Sequence, residues 1–280
     1  MTEHKGWIAL DIDGTITDES HHVPKETVDY LTELNDQGWE VMFITGRTYS
    51  FGTSALNVFP FPFYLGIQNG ADILEMPSKK RISRAYLGAA LLPALEQVYQ
   101  GESEDFILYA GYEKGDFCYY RPKKFSTLLR EHLVKIESLS PEPWKAVDTF
   151  EFGNEDAFPL IKCLGFQEQM RSVHKRLESV KEIAVSLIRD PLDEAIYLNL
   201  VTHSLATKGQ ALERMIAKSG KRGKIIAAGD DRNDVSMLES ADIAIVMGGA
   251  PAEMLPLADI LAPSAKEQGI ITALKQAVLR

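Results

Sequence analysis

The sequence predicts an α/β protein, a Rossmann-like parallel-sheet core with an inserted α+β cap domain. Three observations lead to it. Up to about Leu74, short apolar runs alternate with stripes of helical period, the pattern of a parallel sheet with crossover helices. From about Ile82 to Val201 the apolar runs come in neighbouring pairs with helical segments between them, the pattern of a mostly antiparallel α+β module. The first alternation then resumes and continues to the C-terminus. The simplest arrangement makes one core from residues 1–81 and 203–280 and inserts residues 82–202 as a second domain. A chain of 280 residues suits that division.

Each element has its own signal. Ile8 to Leu10 is a short apolar run closed by a turn signal, and so reads as a buried strand. Thr15 to His22 is polar and reads as a loop, after which Pro24 opens a helix. Val28, Leu31 and Leu34 form that helix's apolar stripe, and Gly38 ends it. Trp39 to Ile44 is the next strand. Phe59 to Phe63 alternates Phe with Pro and reads as irregular surface-loop packing. Tyr64 to Ile67 and Ala71 to Leu74 flank Asn69-Gly70, a strong hairpin dipeptide, and a plain hairpin accounts for all of it.

In the inserted module, Phe106 to Gly111 pairs with Phe117 to Tyr120. Ile183 to Ile188 pairs with Ala195 to Val201 around the turn-like Arg189 to Asp193. Helices are expected near Leu91 to Tyr99, Ser126 to Ser138 and Phe166 to Val180. The returning core reads as a helix from Thr207 to Lys218, a buried strand from Lys224 to Ala228 and a helix from Asp231 to Glu239. Strands from Ile243 to Met247 and Ile260 to Ala262 follow, then a closing helix from Gln268 to Leu279.

Composition narrows the function. The net charge of -10 speaks against general nucleic-acid binding, which needs a basic face to neutralise phosphates. Small anionic substrates stay open, because a metal and a few basic side chains reverse the local sign. No apolar run is long enough to span a membrane, and no signal peptide is visible. Cys118 and Cys163 lack CxxC or zinc-ligand spacing and read as buried packing residues of a cytoplasmic, reducing setting. Nothing in the sequence sets an oligomeric state.

Two strand ends carry carboxylates. The first is Trp7-Ile8-Ala9-Leu10-Asp11-Ile12-Asp13-Gly14-Thr15. Ligands of open α/β sheets bind outside the carboxyl ends of strands, so Asp11 and Asp13 stand where chemistry is expected. Like charges at that spacing raise each other's pKa unless a cation or hydrogen bonds offset them. The second stretch is Ile225-Ile226-Ala227-Ala228-Gly229-Asp230-Asp231-Arg232-Asn233-Asp234. Helix capping explains one of its three carboxylates. An oxygen-rich set of this kind suits Mg²⁺, which binds through one or two carboxylates plus water and substrate phosphate.

Thr45-Gly46-Arg47 follows a buried strand, and its hydroxyl and backbone N–H groups suit phosphoryl oxygens, helped by the helix that follows. Lys208, in Ala206-Thr207-Lys208-Gly209, adds a compact positive charge at a helix start, where the helix dipole gives it no structural benefit. Taken singly, each stretch also fits an ordinary turn, cap or solvated side chain.

Taken together, Asp11-x-Asp13-Gly14-Thr15, Thr45-Gly46-Arg47, Lys208-Gly209 and Gly229-Asp230-x-x-Asn233-Asp234 appear in a fixed order that resembles the haloacid dehalogenase superfamily of phosphotransferases. The long insertion before Lys208 resembles a C2-type cap, that of the Cof-like subfamily with its sucrose-phosphate phosphatase-like and phosphomannomutase relatives. Gln68-Asn69-Gly70-Ala71 and Ala241 to Gly269 are similar to that group as well.

The resemblance implies a Mg²⁺-dependent phosphatase acting on a small phosphorylated metabolite such as a sugar phosphate. It makes Asp11 the nucleophile that becomes a phosphoaspartate, and Asp13 the acid and base. It places Mg²⁺ on the Asp11 carboxylate, the Asp13 main-chain oxygen and the Asp230 carboxylate, with Asp234 in support. Thr45, Gly46, Lys208 and Asn233 would hold phosphoryl oxygens. Asp231 falls between motif positions and reads as a cap. A phosphomutase or phosphotransferase shares every core motif and differs in the acceptor. A phospho-Asp signalling switch shares the acidic cluster, but the inserted cap and Asp13 argue against it.

Overall fold

The computed structural model describes residues 3–17, 22–140, 142–190 and 192–280. Residues 18–21 of the expected loop and Pro191 of the expected turn lie outside the described residues. The chain divides into two compact units, Met1–Arg84 with Ala206–Arg280, and Ala85–Leu205.

The first unit begins with β1 (Gly6–Leu10), an unbroken buried run, as a strand covered on both faces should be. Helix α1 (Lys25–Asp36) follows Pro24 and buries Thr27, Leu31 and Leu34, one face of a 3.6-residue period. β2 (Trp39–Ile44) lies parallel to β1, helix α2 (Tyr49–Leu56) follows, and β3 (Phe63–Ile67) lies parallel to β2. β4 (Asp72–Met76) and β5 (Lys80–Arg84) return antiparallel at the sheet edge.

The Phe59 to Phe63 stretch is core, contrary to the surface-loop expectation. Phe59, Phe61 and Phe63 are buried and the two prolines between them are exposed. Phe43 stacks on Phe59 at 4.8 Å between ring centroids, which anchors this segment on β2. The Phe/Pro alternation is a period-two pattern, with one side in and the other out.

The second unit contains β6 (Leu87–Gly88), α3 (Leu92–Val98), β7 (Phe106–Tyr109), β8 (Cys118–Tyr120), α4 (Thr127–Ser138), β9 (Lys145–Ala146) and β10 (Ala157–Phe158). It continues through β11 (Ile161–Phe166), α5 (Gln167–Leu177), β12 (Ile183–Asp190) and β13 (Asp193–His203). Among the described residues its main sheet runs β12-β13-β11-β7-β8-β9, antiparallel except at β8–β9.

Alternation along the strands builds two cores. Phe106, Leu108, Ile161 and Cys163 face Leu95 of α3 and Met170 and Val173 of α5. Ile107, Tyr109 and Leu164 face Leu129 and Leu133 of α4. Both cysteines are free and buried, one in each core. Burial pushes the Cys163 thiol up to about 12 and raises that of Cys118 as well.

The chain then completes the first unit with α6 (Lys208–Ser219), β14 (Lys224–Gly229), α7 (Val235–Glu239), β15 (Ile243–Val246), β16 (Ile260–Leu261) and α8 (Gly269–Ala277). The expected helix from Asp231 instead opens as a 3-10 turn over Arg232–Asp234 and becomes α-helical at Val235. The sheet order is β16-β15-β14-β1-β2-β3-β4-β5. β1 pairs in parallel with both β2 and β14, and the two halves of the unit run outward from it in opposite directions. That reversal is a topological switch point, where a crevice opens at the carboxyl ends of the strands. Asp11 and Asp230 flank it. No helix among the described residues is long and apolar enough to cross a membrane.

Candidate active site

Asp11 directly follows β1, and its N–H donates to Ala228 O at 3.0 Å, one step beyond the strand. Asp230 directly follows β14. With Leu10 opposite Ala228 in the parallel register, the two carboxylates leave the same end of the sheet. Oxygens of Asp11, Asp230 and Asp234 all lie within 4.8 Å of one another. Gly14 permits the approach: its φ is +70°, and a Cβ there would lie 2.2 Å from Asp230 Oδ2. Thr15 Oγ1 stands 3.5 Å from Asp230 Oδ1.

The turn after β14 is folded around Asp234. The N–H groups of Asp230 and Asp231 both donate to Asp234 Oδ2 at 3.0 Å. A Cβ on Gly229 would fall 2.4 Å from Asp234 Cβ, so only glycine admits this fold-back. Asp231 caps the turn by accepting from Arg232 N–H at 2.7 Å.

Lys208 begins α6, behind the Thr207 cap, whose hydroxyl accepts from Gln210 N–H at 3.2 Å. Its side chain is fully buried and donates to Asp11 Oδ1 and Asp234 Oδ1, each at 2.5 Å. Burial alone would lower the ammonium's pKa, but Asp11 and Asp234 outweigh it and raise the group above its ordinary value. The carboxylates carry the opposite strain. Burial, then repulsion from Asp234 and Asp230, raises Asp11 well above the carboxylate range despite Lys208. Burial and Asp234 push Asp230 up to about 7. One ammonium against three clustered carboxylates leaves this site short of positive charge.

The β2 loop closes the other side. Thr45 is buried, and its Oγ1 accepts from Arg47 N–H at 3.1 Å, which leaves the hydroxyl hydrogen able to donate. Arg47 forms a two-pronged ion pair with Asp13: Nε donates to Oδ2 at 2.7 Å and Nη2 donates to Oδ1. Its Nη1 donates to Phe51 O at 3.2 Å, tying the pair to α2. Asn233 Nδ2 donates to Asn69 Oδ1 at 3.2 Å, and Gly46 lies beside both amides.

A family model described as haloacid dehalogenase-like hydrolase matches residues 8–274. The chain belongs to that family. Phosphatase YwpJ of Bacillus subtilis is 23% identical over 96% of this chain and 98% of its own. The solved phosphatase BT1666 of Bacteroides thetaiotaomicron superposes with a TM-score of 0.79 at 20% identity, covering 99% of this chain and 96% of that one. BT4131, described as a subclass IIB sugar phosphatase of the same superfamily, superposes with a TM-score of 0.75 at 19% identity, covering 99% and 100%. These structural likenesses establish the fold. The family match, with its phosphatase relatives, marks this haloacid dehalogenase-like hydrolase as an enzyme, a phosphatase.

In this hydrolase Asp11, Lys208, Asp230 and Asp234 form one linked cluster. Thr45, Gly46 and Asn233 stand together beside Asn69. The Asp13 side chain pairs with Arg47. Two features escape the sequence reading. Arg47 serves an aspartate 34 positions away, although Thr-Gly-Arg flags the loop. Asn69, taken as part of a plain hairpin, bonds to a residue 164 positions away. Its only sequence signal is the Gln68-Asn69-Gly70-Ala71 similarity.

Proposed function

We propose that this phosphatase hydrolyses a sugar phosphate or similar small phosphomonoester through a phosphoaspartate on Asp11. The observation that carries the reading is the Asp11 carboxylate itself, buried at a sheet switch point and held at one oxygen by Lys208. An oriented, poorly solvated carboxylate suits nucleophilic attack, and an adjacent ammonium offsets the charge of an arriving phosphate.

In the first step an Asp11 oxygen bonds to phosphorus as the bond to the leaving oxygen breaks, and Asp13 supplies the proton to that oxygen. In the second, water attacks the phosphoaspartate, Asp13 takes the water's proton, and phosphate leaves with Asp11 restored. Asp13 is paired with Arg47 here, so proton donation requires that pair to open. Thr45, Gly46, Lys208 and Asn233 hold phosphoryl oxygens.

The family generally uses a divalent metal, and the donor set fits one: three carboxylates, from Asp11, Asp230 and Asp234, with oxygens within 4.8 Å of one another. The Asp11 and Asp230 carboxylates with the Asp13 main-chain oxygen would hold Mg²⁺. Asp234, already accepting from two N–H groups and Lys208, orients the turn that presents Asp230. When bound, the ion neutralises the charge between nucleophile and phosphate.

The inserted unit, residues 82–202 by sequence pattern and Ala85–Leu205 by compactness, would act as the cap that selects the substrate. The description of BT4131 as a sugar phosphatase supports a sugar phosphate. Two free, buried cysteines suit a cytoplasmic setting.

The test is phosphate release from sugar phosphates, other small phosphomonoesters and p-nitrophenyl phosphate, with Mg²⁺ and with EDTA, beside Asp11→Asn. Mg²⁺-dependent release lost in the variant supports the reading. Isomerised product without free phosphate would replace hydrolysis by a mutase reaction.

A further inference from the structure

The loop between β3 and β4 is built more expensively than a hairpin turn requires. Ile67 pairs with Asp72, so four residues make the connection rather than a two-residue Asn-Gly turn. Gln68 and Asn69 both hold left-handed backbone, with φ of 50° and 59°. Non-glycine residues adopt that conformation rarely, and such strain collects at functional sites. Hairpin tips are normally exposed, yet Gln68 is fully buried and Asn69 is only 6% exposed.

The left-handed pair turns two successive N–H groups toward the β2 loop. Gln68 N–H donates to Arg47 O at 2.9 Å, and Asn69 N–H donates to Thr45 O at 2.8 Å. These carbonyls flank Gly46 on either side. The Asn69 side chain then crosses to the third loop, where its Oδ1 accepts from Asn233 Nδ2 at 3.2 Å. A Cβ on Gly46 would lie 3.5 Å from Asn69 Oδ1 and 3.7 Å from Asn233 Nδ2, so the three groups converge at one place. An amide nitrogen carries two hydrogens; Asn69 takes one and fixes the plane in which the other points.

We infer that Asn69 is a positioning residue for phosphoryl binding: its side chain orients the Asn233 amide while its backbone clamps the Thr45–Gly46 peptide. The inference rests on the reading that Thr45, Gly46 and Asn233 meet the phosphoryl group. Asn69 itself acts through Asn233 and the β2 loop.

The test measures inorganic phosphate affinity of the Mg²⁺-loaded protein by competitive inhibition, with melting temperature alongside. Asn69→Gly removes the amide and suits the left-handed backbone, so the fold should hold. Phosphate binding should weaken about three- to tenfold, the worth of one oriented hydrogen bond. Asn233→Ala should weaken it at least as much, and the double variant should match Asn233→Ala alone, because Asn69 acts through that amide. Asn69→Asp keeps the acceptor but brings a negative charge beside the phosphate, and should bind phosphate more weakly than Asn69→Gly.

Wild-type affinity in Asn69→Gly or Asn69→Asp, or an Asn69→Gly loss that adds in full to that of Asn233→Ala, would overturn the inference while the reading of Asn233 stands. Wild-type affinity in Asn233→Ala would instead remove the reading beneath it. A collapse of melting temperature in Asn69→Gly with wild-type phosphate affinity in Asn69→Asp would make the side chain purely structural.

Discussion

The Lys208 ammonium lies 2.5 Å from Asp11 Oδ1, although 197 positions separate the two residues in the chain. The contact joins the first strand's end to the start of α6 and depends on β1 lying beside β14. Both groups are out of water, so it is a structural bond as well as a candidate catalytic one. Removing one partner of a buried pair leaves the other charge uncompensated, at a cost of about 3–5 kcal/mol. Lys208→Met should therefore both abolish turnover and lower stability by an amount in that range. Chemical denaturation checks it, and the loss should be larger in EDTA than with Mg²⁺, because a bound cation partly replaces the ammonium.

The raised carboxylates predict an unusual pH dependence. Asp230 is held near 7, well above its unfolded value, and Asp11 is raised too, in both cases chiefly by burial. The folded, metal-free state therefore binds protons more tightly than the unfolded one. Its stability should fall as pH rises from the ordinary carboxylate range through about 7. Melting temperatures in EDTA should show this decline, and Asp230→Asn should flatten it. Mg²⁺ should flatten it as well, with apparent affinity weakening as pH drops below about 7. A metal-free melting temperature that climbs with pH across this window would contradict the assignment.

Asp13 and Arg47 predict a dependence on the leaving group. A general acid contributes about 10²–10⁴-fold when the leaving oxygen needs a proton, and p-nitrophenolate needs little help. Asp13→Asn should cost a sugar phosphate a factor in that range and p-nitrophenyl phosphate far less. Arg47→Lys loosens the two-pronged pair that must open before Asp13 donates, so it should cost the sugar phosphate far less than Asp13→Asn does. Steady-state kcat/KM with both substrates measures it, because that ratio reports the step in which the leaving group departs and not the shared hydrolysis of the phosphoaspartate.

Gly14→Ala should damage the site from the backbone. A Cβ would stand 2.2 Å from Asp230 Oδ2, and φ is +70°. The left-handed conformation alone costs about 1–2 kcal/mol, and the clash displaces Asp230. Calorimetric titration should show weakened Mg²⁺ binding together with the loss of activity.

What the sequence shows, and what it hides, follows from the range of the interactions. β1, β2 and β14 are legible because strands buried on both faces read as near-continuous apolar runs, and Asp11 and Asp230 stand out as carboxylates at the ends of β1 and β14. The expectation of a parallel core with an antiparallel insert agrees with the sheet orders. β11, central to the insert's sheet, carries Lys162 and Gly165 in six residues and shows no clear period. The turn before α7 reads as plain helix because the Asp234 side chain, not local propensity, shapes it. Asn69 is hidden for a different reason: Asn-Gly is fully explained by a local turn, so nothing nearby signals a partner as distant as Asn233. Long-range side-chain bonds of this kind appear only once the sheet order is known.

The central claim is the covalent bond between phosphorus and Asp11, and rapid-quench trapping tests it most directly. Mg²⁺-loaded protein is mixed with excess p-nitrophenyl phosphate, quenched in acid within one turnover, reduced with borohydride and digested for mass spectrometry. Acyl phosphates are reduced at the carbonyl, so the account predicts that the residue at position 11 is recovered as the reduced alcohol, and only when substrate is present. Full turnover with an unmodified Asp11 at every quench time, or with the label on another residue, would contradict it.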